Sequence, residues 1–324
     1  MNAFQTEEGL VGISLRGDQL RMTEMPATIN AQERKVLNVV LGQFETPFSF
    51  QVLEDRSAIS KFADTIRRTA GSAGFLSNKA SLAIDSSFVL IKKVPVDSSL
   101  QDDELAEHID WEFSQSMISP PDHFIRDFEP LPAEGGASYE KHVVSVAVRK
   151  AVIDYLREIF AETDFFLQAI DVDVFAAQRV ITERHDYTPD KKTALIDIRQ
   201  ENLQFSVLYK GFNLVQEISY PADEGLEVGH NKDERLARVI SKELRRIILD
   251  NKLGKNVEDV DNIYIYGDDV APTILDTLAQ AHNVEMKILN PFEQIPLTDQ
   301  STDSQISSHP EAFVTSLGAS IKGF

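Results

Sequence analysis

Apolar and polar residues alternate through residues 10–25, with Val11, Ile13 and Leu15, then Leu20 and Met22, on one side of an extended ribbon that turns at Gly17-Asp18. About half a chain later the pattern returns. Residues 193–198 form a mostly apolar strand that carries Asp197, Arg199-Gln200-Glu201-Asn202 form a polar turn, and an amphipathic strand follows. That second hairpin extends to residue 219 through another turn at Lys210-Gly211. Between the two copies, apolar residues at helical spacing predict helices over 58–70, 99–117, 151–161 and 175–184. Gly71 and Gly74 end the first and Pro120-Pro121 stops the second. Strands are predicted at 36–41, 80–84, 88–94, 123–131 and 141–148. The second half predicts a helix over 233–250, a strand over 262–266, a helix over 272–282 and a strand over 284–288. A polar stretch at 299–308 reads as flexible, and a small-residue helix over 311–324 closes the chain, with Phe313, Leu317 and Ile321 on one face.

Strands and helices in alternation predict an α/β protein. With 324 residues, two domains are the natural expectation. The polar run 185–192, with Pro189 and the charges Asp190, Lys191 and Lys192, reads as the main boundary.

Composition then narrows the classes. Hydrophobic content of 42% and 26% charged residues suit a globular protein. No apolar run approaches the ~20 residues a spanning helix needs, and the first ten residues carry Glu7 and Glu8 without an apolar core. A cytoplasmic location is the expectation, with any membrane contact made through a partner. With no cysteine, disulfides, thiolate metal sites and cysteine nucleophiles are excluded. A net charge of −20 repels nucleic acid and anionic lipid. The best basic candidate, Arg235, Arg238, Lys242, Arg245 and Arg246, reads as a solvated helix face balanced by Asp233, Glu234 and Glu243.

Common catalytic signatures are missing. No Walker loop, G-x-G-x-x-G or G-x-S-x-G occurs. Ser138-x-x-Lys141 matches a penicillin-binding motif by spelling only, and the seven histidines are scattered. Asp171 and Asp173 fall on opposite faces of an extended segment, a poor geometry for paired acid–base work. Trp111 reads as a residue at the rim of a core, with partner anchoring as its functional alternative.

The two ribbon-turn-ribbon units, followed by residues 263–269 running into a helix, resemble the two phosphate loops and the adenosine loop of actin-like proteins. Further segments extend the likeness over nearly the whole chain: Val94-Pro95 with Asp103-Glu104-Leu105 and Ile109-Asp110-Trp111-Glu112, then Asp127-Phe128-Glu129-Pro130-Leu131. Ile170-Asp171-Val172 with Ala176-Ala177, Glu243-Leu244-Arg245-Arg246, Asn290-Pro291-Phe292 and Leu317-Gly318-Ala319-Ser320 continue it. In that order they resemble the PilM family of type IV pilus assembly proteins, in the FtsA-like branch of the actin-like ATPases. The resemblance implies an α/β, actin-like (ribonuclease H-like) fold of two lobes, with a small α+β subdomain inserted in the first. The first lobe would comprise 1–94 and 168–188, the insert 95–167 and the second lobe 189–308. The segment 309–324 would return to the first lobe.

The same resemblance locates a nucleotide cleft and its departures. Ser14 stands where active members place a Mg²⁺-organising aspartate, and Arg16 where a glycine lets the backbone approach phosphate. Arg21 matches the family's basic residue. In the second loop Asp197 is retained but Arg199 replaces glycine; in the third Gly267 is retained but Asp268 replaces glycine. An added carboxylate repels a polyphosphate. The arginines could pair with acids such as Asp197 and Asp268, clamp phosphates, or lie on the surface. Asp197 could be a surviving Mg²⁺ ligand or a strand-end aspartate satisfying turn amides. The expectation is a degenerate cleft with no cofactor, ATP and Mg²⁺ being disfavoured, and no enzymatic activity. Its function would be to scaffold a type IV pilus inner-membrane complex by binding the cytoplasmic tail of a PilN-like single-pass partner, held by the first lobe and its insert. Self-association is common among actin-like bodies. An ATP-binding switch of the same family, a type II secretion or other envelope component, and a phosphotransferase are the alternatives.

Overall fold

The computed structural model describes residues 9–26, 35–100, 102–115, 120–132, 140–184, 186–200, 202–219, 232–268, 270–282, 284–298 and 304–321. The first-ten-residue segment apart from its end, the Gly135-Gly136 loop, Ser138, His185, His230, Asp269 and residues 299–303 and 322–324 lie outside them. They form two compact units: residues 1–183, 291–308 and 315–324, and residues 184–290 and 309–314.

The first unit opens with β1 (Leu10–Met25), a ribbon that doubles back at Gly17, so that Gly9 at its start packs against Met25 at its end. Its first half pairs in parallel with β3 (Lys79–Ile84), its second half antiparallel with β2 (Asn38–Phe48). Gly17 has φ 54, a left-handed value that suits a residue without Cβ. Helix α1 (Ala58–Ala73) follows and ends on left-handed Gly74, then β3 (Lys79–Ile84). Next come β4 (Val89–Asp97), α2 (Asp102–Ser114), β5 (Phe124–Pro130), β6 (Glu140–Arg149), α3 (Lys150–Ala161), β7 (Phe166–Val172) and α4 (Asp173–Thr182).

These strands make two sheets. One has order β2-β1-β3-β7, the other β4-β6-β5 and antiparallel throughout. In the four-stranded sheet, Val11, Ile13, Leu15, Leu20, Met22, Leu82 and Ile84 join α1 and α3 in the main core. Strand side chains alternate between faces, so Gly12, Ser14, Arg16, Arg21 and Thr23 lie on the opposite face. There α4 and the end of the chain cover them: Ala83, Ala176 and Ala319 form a small-residue cluster, and Thr23 Oγ1 lies 2.8 Å from Ser316 Oγ. With both faces covered, every residue of β3 from Ala80 to Ile84 is buried, Ser81 included.

The three-stranded sheet has its own core: Val94, Val96, Phe124, Val143 and Ala147 against Ile109 and Phe113 of α2. It starts at Val89 rather than at residue 95. Helix α3, which the sequence division assigns to the insert, sends Val152, Tyr155, Leu156 and Ile159 into the main core instead. Its amphipathic stripe was legible, but the sheet it would cover was not. The predicted strand at 36–41 begins later, because Val36 makes an isolated parallel bridge to Leu297. That bridge, with Val36 N–H donating to Pro296 and Thr298 N–H to Val36, joins residues 291–308 to the first unit rather than the second.

The second unit is a five-stranded sheet of order β10-β9-β8-β11-β12. Its elements are β8 (Thr193–Ile198), β9 (Asn202–Leu208), β10 (Phe212–Ser219), α5 (Lys232–Asp250), β11 (Asn262–Gly267), α6 (Pro272–Ala281) and β12 (Met286–Ile288). Strands β8 and β9 form the predicted hairpin, and β10 returns through Lys210 and Gly211, both at positive φ. Ala194, Ile196, Ile198, Leu203, Phe205, Ile263 and Ile265 face α5 and α6. Asp197, Gln204 and Tyr266 therefore occupy the other face. Two last helices, α7 (Ser304–Ser308) and α8 (Val314–Ser320), complete the chain. No helix among the described residues is long and apolar enough to cross a membrane.

Candidate functional site

The first loop is built on the covered face of β1. Ser14 and Arg16 share it with Gly12, whose Cα is so close to the terminal helix that a Cβ would stand 2.0 Å from the Ser316 carbonyl oxygen. Ser14 is buried, and the Arg16 guanidinium lies 3.9 Å from the carboxylate of Asp173, which is 2% exposed. Asp173 opens α4, where its Oδ1 accepts from the backbone N–H of Val174 at 2.6 Å and of Ser86 at 3.2 Å. A helix N-terminus favours that charge. Asp171, two residues earlier, turns to a different partner: Arg179 bonds it at 2.8 Å and also donates to the Gly318 carbonyl at 2.6 Å. Arg21 is buried beside Asp18. The Gln43 side-chain amide above all, then that of Gln19 and the charge of Arg21, holds the Asp18 carboxyl below its ordinary value of 3.8, against the opposing effect of burial.

In the second unit Asp197 ends β8 and is 1% exposed. Arg199 Nε donates to its Oδ2 at 3.0 Å, and Arg199 Nη1 lies 3.7 Å from Glu217 Oε2. Glu217 also accepts from Asn202 Nδ2 at 3.0 Å. The turn itself closes through Arg199 N–H to the Asn202 carbonyl at 3.1 Å. Gly267 ends β11 directly against it: at φ 117, a Cβ there would be 2.2 Å from the Ile198 carbonyl oxygen and 2.5 Å from Asp197 Oδ1. Asp268 N–H donates to Ile198 at 2.8 Å. Thus Asp197, Arg199, Gly267 and Asp268 come together in one unit, and Ser14, Arg16 and Arg21 share one sheet face in the other. Sequence reasoning missed Asp173 and Glu217 as the arginines' partners; adjacency in the sheet, not spacing, brings them in.

Mg-ATP needs an acidic pair and open backbone at such loops. Taken separately, the first unit offers at Ser14 a neutral buried hydroxyl, and in the second unit Asp197 is already bonded by a guanidinium. Neither loop by itself has the acid and open backbone that the resemblance calls for. Among the described residues no cluster of three or more His, Asp or Glu could hold a metal ion.

A second feature lies wholly in the first unit. Between the three-stranded sheet, α3 and β7 is a mostly apolar groove of about 470 Å³, lined by Val146, Val148, Ile125, Phe160 and every residue from Phe165 to Val172. Phe166 is 65% exposed and Ile125 is also open to solvent. Sequence carried one signal for it: β6 is apolar on both faces, Val143 and Ala147 facing α2 and Val146 and Val148 facing the groove. Trp111 stands outside the core its neighbours Ile109 and Phe113 enter, stacked on His108 at 6.0 Å between centroids. On α5, Arg246 bonds Glu243 at 2.7 Å and lies near Asp250.

The sheets and their insertion define a protein of the actin-like ATPase fold. Over residues 32–216 the chain matches the family of type IV pilus assembly protein PilM, and it belongs to that family. A solved structure named the PilM-PilN type IV pilus biogenesis complex superposes with TM-score 0.72 at 17% identity, covering 97% of this chain and 98% of that one. An actin-like fold protein of unknown function from Bacteroides thetaiotaomicron gives 0.48 at 10% identity, over 90% and 95% of the chains. The cytoplasmic domain of EpsL, an inner-membrane component of the Vibrio cholerae type II secretion system, gives 0.44 at 10%, over 84% and 94%. No curated protein matches the chain.

Proposed function

We propose that this PilM-family chain is a non-enzymatic cytoplasmic scaffold of a type IV pilus assembly complex, which binds the cytoplasmic tail of a PilN-like single-pass inner-membrane protein. The observation that carries the reading is the groove of the first unit. One wall is an apolar sheet face, Val146 and Val148, with Ile125 beside it. The other is β7, the outer strand of its sheet. A strand's side chains point alternately to opposite faces, so lining by eight consecutive residues means that β7 offers its backbone edge. Such a site takes an extended peptide, with main-chain hydrogen bonds to the edge and alternate apolar side chains against the sheet. Exposed Phe166 and Ile125 are the anchors expected at such a rim. The solved structure with the same architecture is a PilM-PilN complex by name, which makes a PilN-like tail the natural occupant. Attachment to the membrane would then come through that partner.

Titrating a labelled N-terminal peptide of the PilN-like protein tests this. Binding should saturate, and Val146→Asp, which places a charge in the apolar wall, should weaken it about tenfold or more. Failure to bind, or equal binding by the variant, sinks the proposal.

A further inference from the structure

The scaffold reading leaves open what holds the second unit's loop in place. The second unit supplies an answer in its own side chains. Asp197 is a fully buried carboxylate, and a buried carboxylate requires a counter-charge or several donors. Its counter-charge is the guanidinium two residues on, 3.0 Å away, itself 4% exposed. On its other flank the same guanidinium faces Glu217 at 3.7 Å, and Glu217 is fixed by Asn202 across the hairpin. Two carboxylates therefore flank one cation, the arrangement expected around a bound metal ion, with the cation carried on the chain. The floor is closed as well, because Asp197 Oδ1 packs against Gly267 Cα too tightly for a Cβ.

We infer that the Arg199 guanidinium is a tethered substitute for a divalent cation at Asp197, so that the second-unit loop is set without Mg-ATP and partner binding is independent of nucleotide. This rests on the scaffold reading above for the identity of the partner. A free divalent ion would have to displace a cation that cannot diffuse away, and a polyphosphate would meet Asp268 where a glycine is expected.

The test uses the full chain with manganese or magnesium alone, then Mg-ATP, then the tail peptide. Wild-type melting temperature should not respond to millimolar manganese. Arg199→Ala should melt lower and recover roughly half of its loss with manganese, because the vacated carboxylates again offer a cation site. Should that variant fail to fold, Arg199→Lys keeps a charge and should fold, with a lower melting temperature and no manganese response. Stabilisation of the wild type by manganese, or a foldable Arg199→Ala that manganese does not restore, would overturn the assignment. In parallel, tail affinity should change by less than about twofold on adding Mg-ATP; a shift of about tenfold would overturn nucleotide independence while leaving the scaffold intact. Absence of tail binding in any condition would instead defeat the scaffold reading, with the manganese result still standing.

Discussion

The two arginine-bearing loops occupy corresponding places in their sheets, yet they are satisfied differently. In the second unit the pair is local: Asp197 and Arg199 flank one turn, at 3.0 Å, both almost fully buried. In the first unit Arg16 reaches across the sheet to Asp173 at 3.9 Å, and that carboxylate also has two backbone N–H donors and a helix N-terminus. The same residue type thus closes one loop on itself and ties the other to a neighbouring helix. An arginine's contribution depends on what else supports its partner. A short contact between two nearly fully buried ions costs more to break than a longer one whose acid also accepts from backbone donors.

Substitutions can break or sharpen this contrast. Arg199→Ala should cost about 4 kcal/mol in chemical denaturation, the penalty of a buried carboxylate stripped of its cation. Gly267→Ala attacks the same loop through its backbone; with φ 117 and a Cβ 2.2 Å from a carbonyl oxygen, it should cost about 3 kcal/mol by the same measurement. Arg16→Ala should cost only about 1–2 kcal/mol, because Ser86 and Val174 still donate to Asp173. A loss equal to that of Arg199→Ala would erase the distinction drawn here. Smallest is Asp18→Asn. The folded pKa of Asp18 is depressed, so its contribution is present above its ordinary value of 3.8 and lost as pH falls through the lower folded value. Acid titration of stability should be flatter in the variant between 3.8 and that lower folded value, with a change of a few tenths of a kcal/mol at neutrality.

Much of the fold was legible because its signals are local. The helix expected to end at Gly71 and Gly74 runs on through Gly71 and stops at left-handed Gly74. Lys210-Gly211 turns where the alternation changed sense. Asp197 and Arg199 were legible as a candidate pair for the same reason. The boundary of the insert was not, because α3 carries an apolar stripe that suits either sheet and only packing chose the main core. The grouping of residues 291–308 with the first unit was not legible for a related reason: a short parallel bridge at Val36 and Leu297 leaves no periodic trace.

Sequence by itself determined the strands, the helical faces and the doubled hairpin. These follow from side-chain alternation, steric freedom and charge, which act over a few residues. Tertiary structure decided that Arg16 meets Asp173 and that one face of β6 and one edge of β7 enclose a groove. Both depend on which strand lies beside which, an outcome of burying whole sheet faces that no local period encodes.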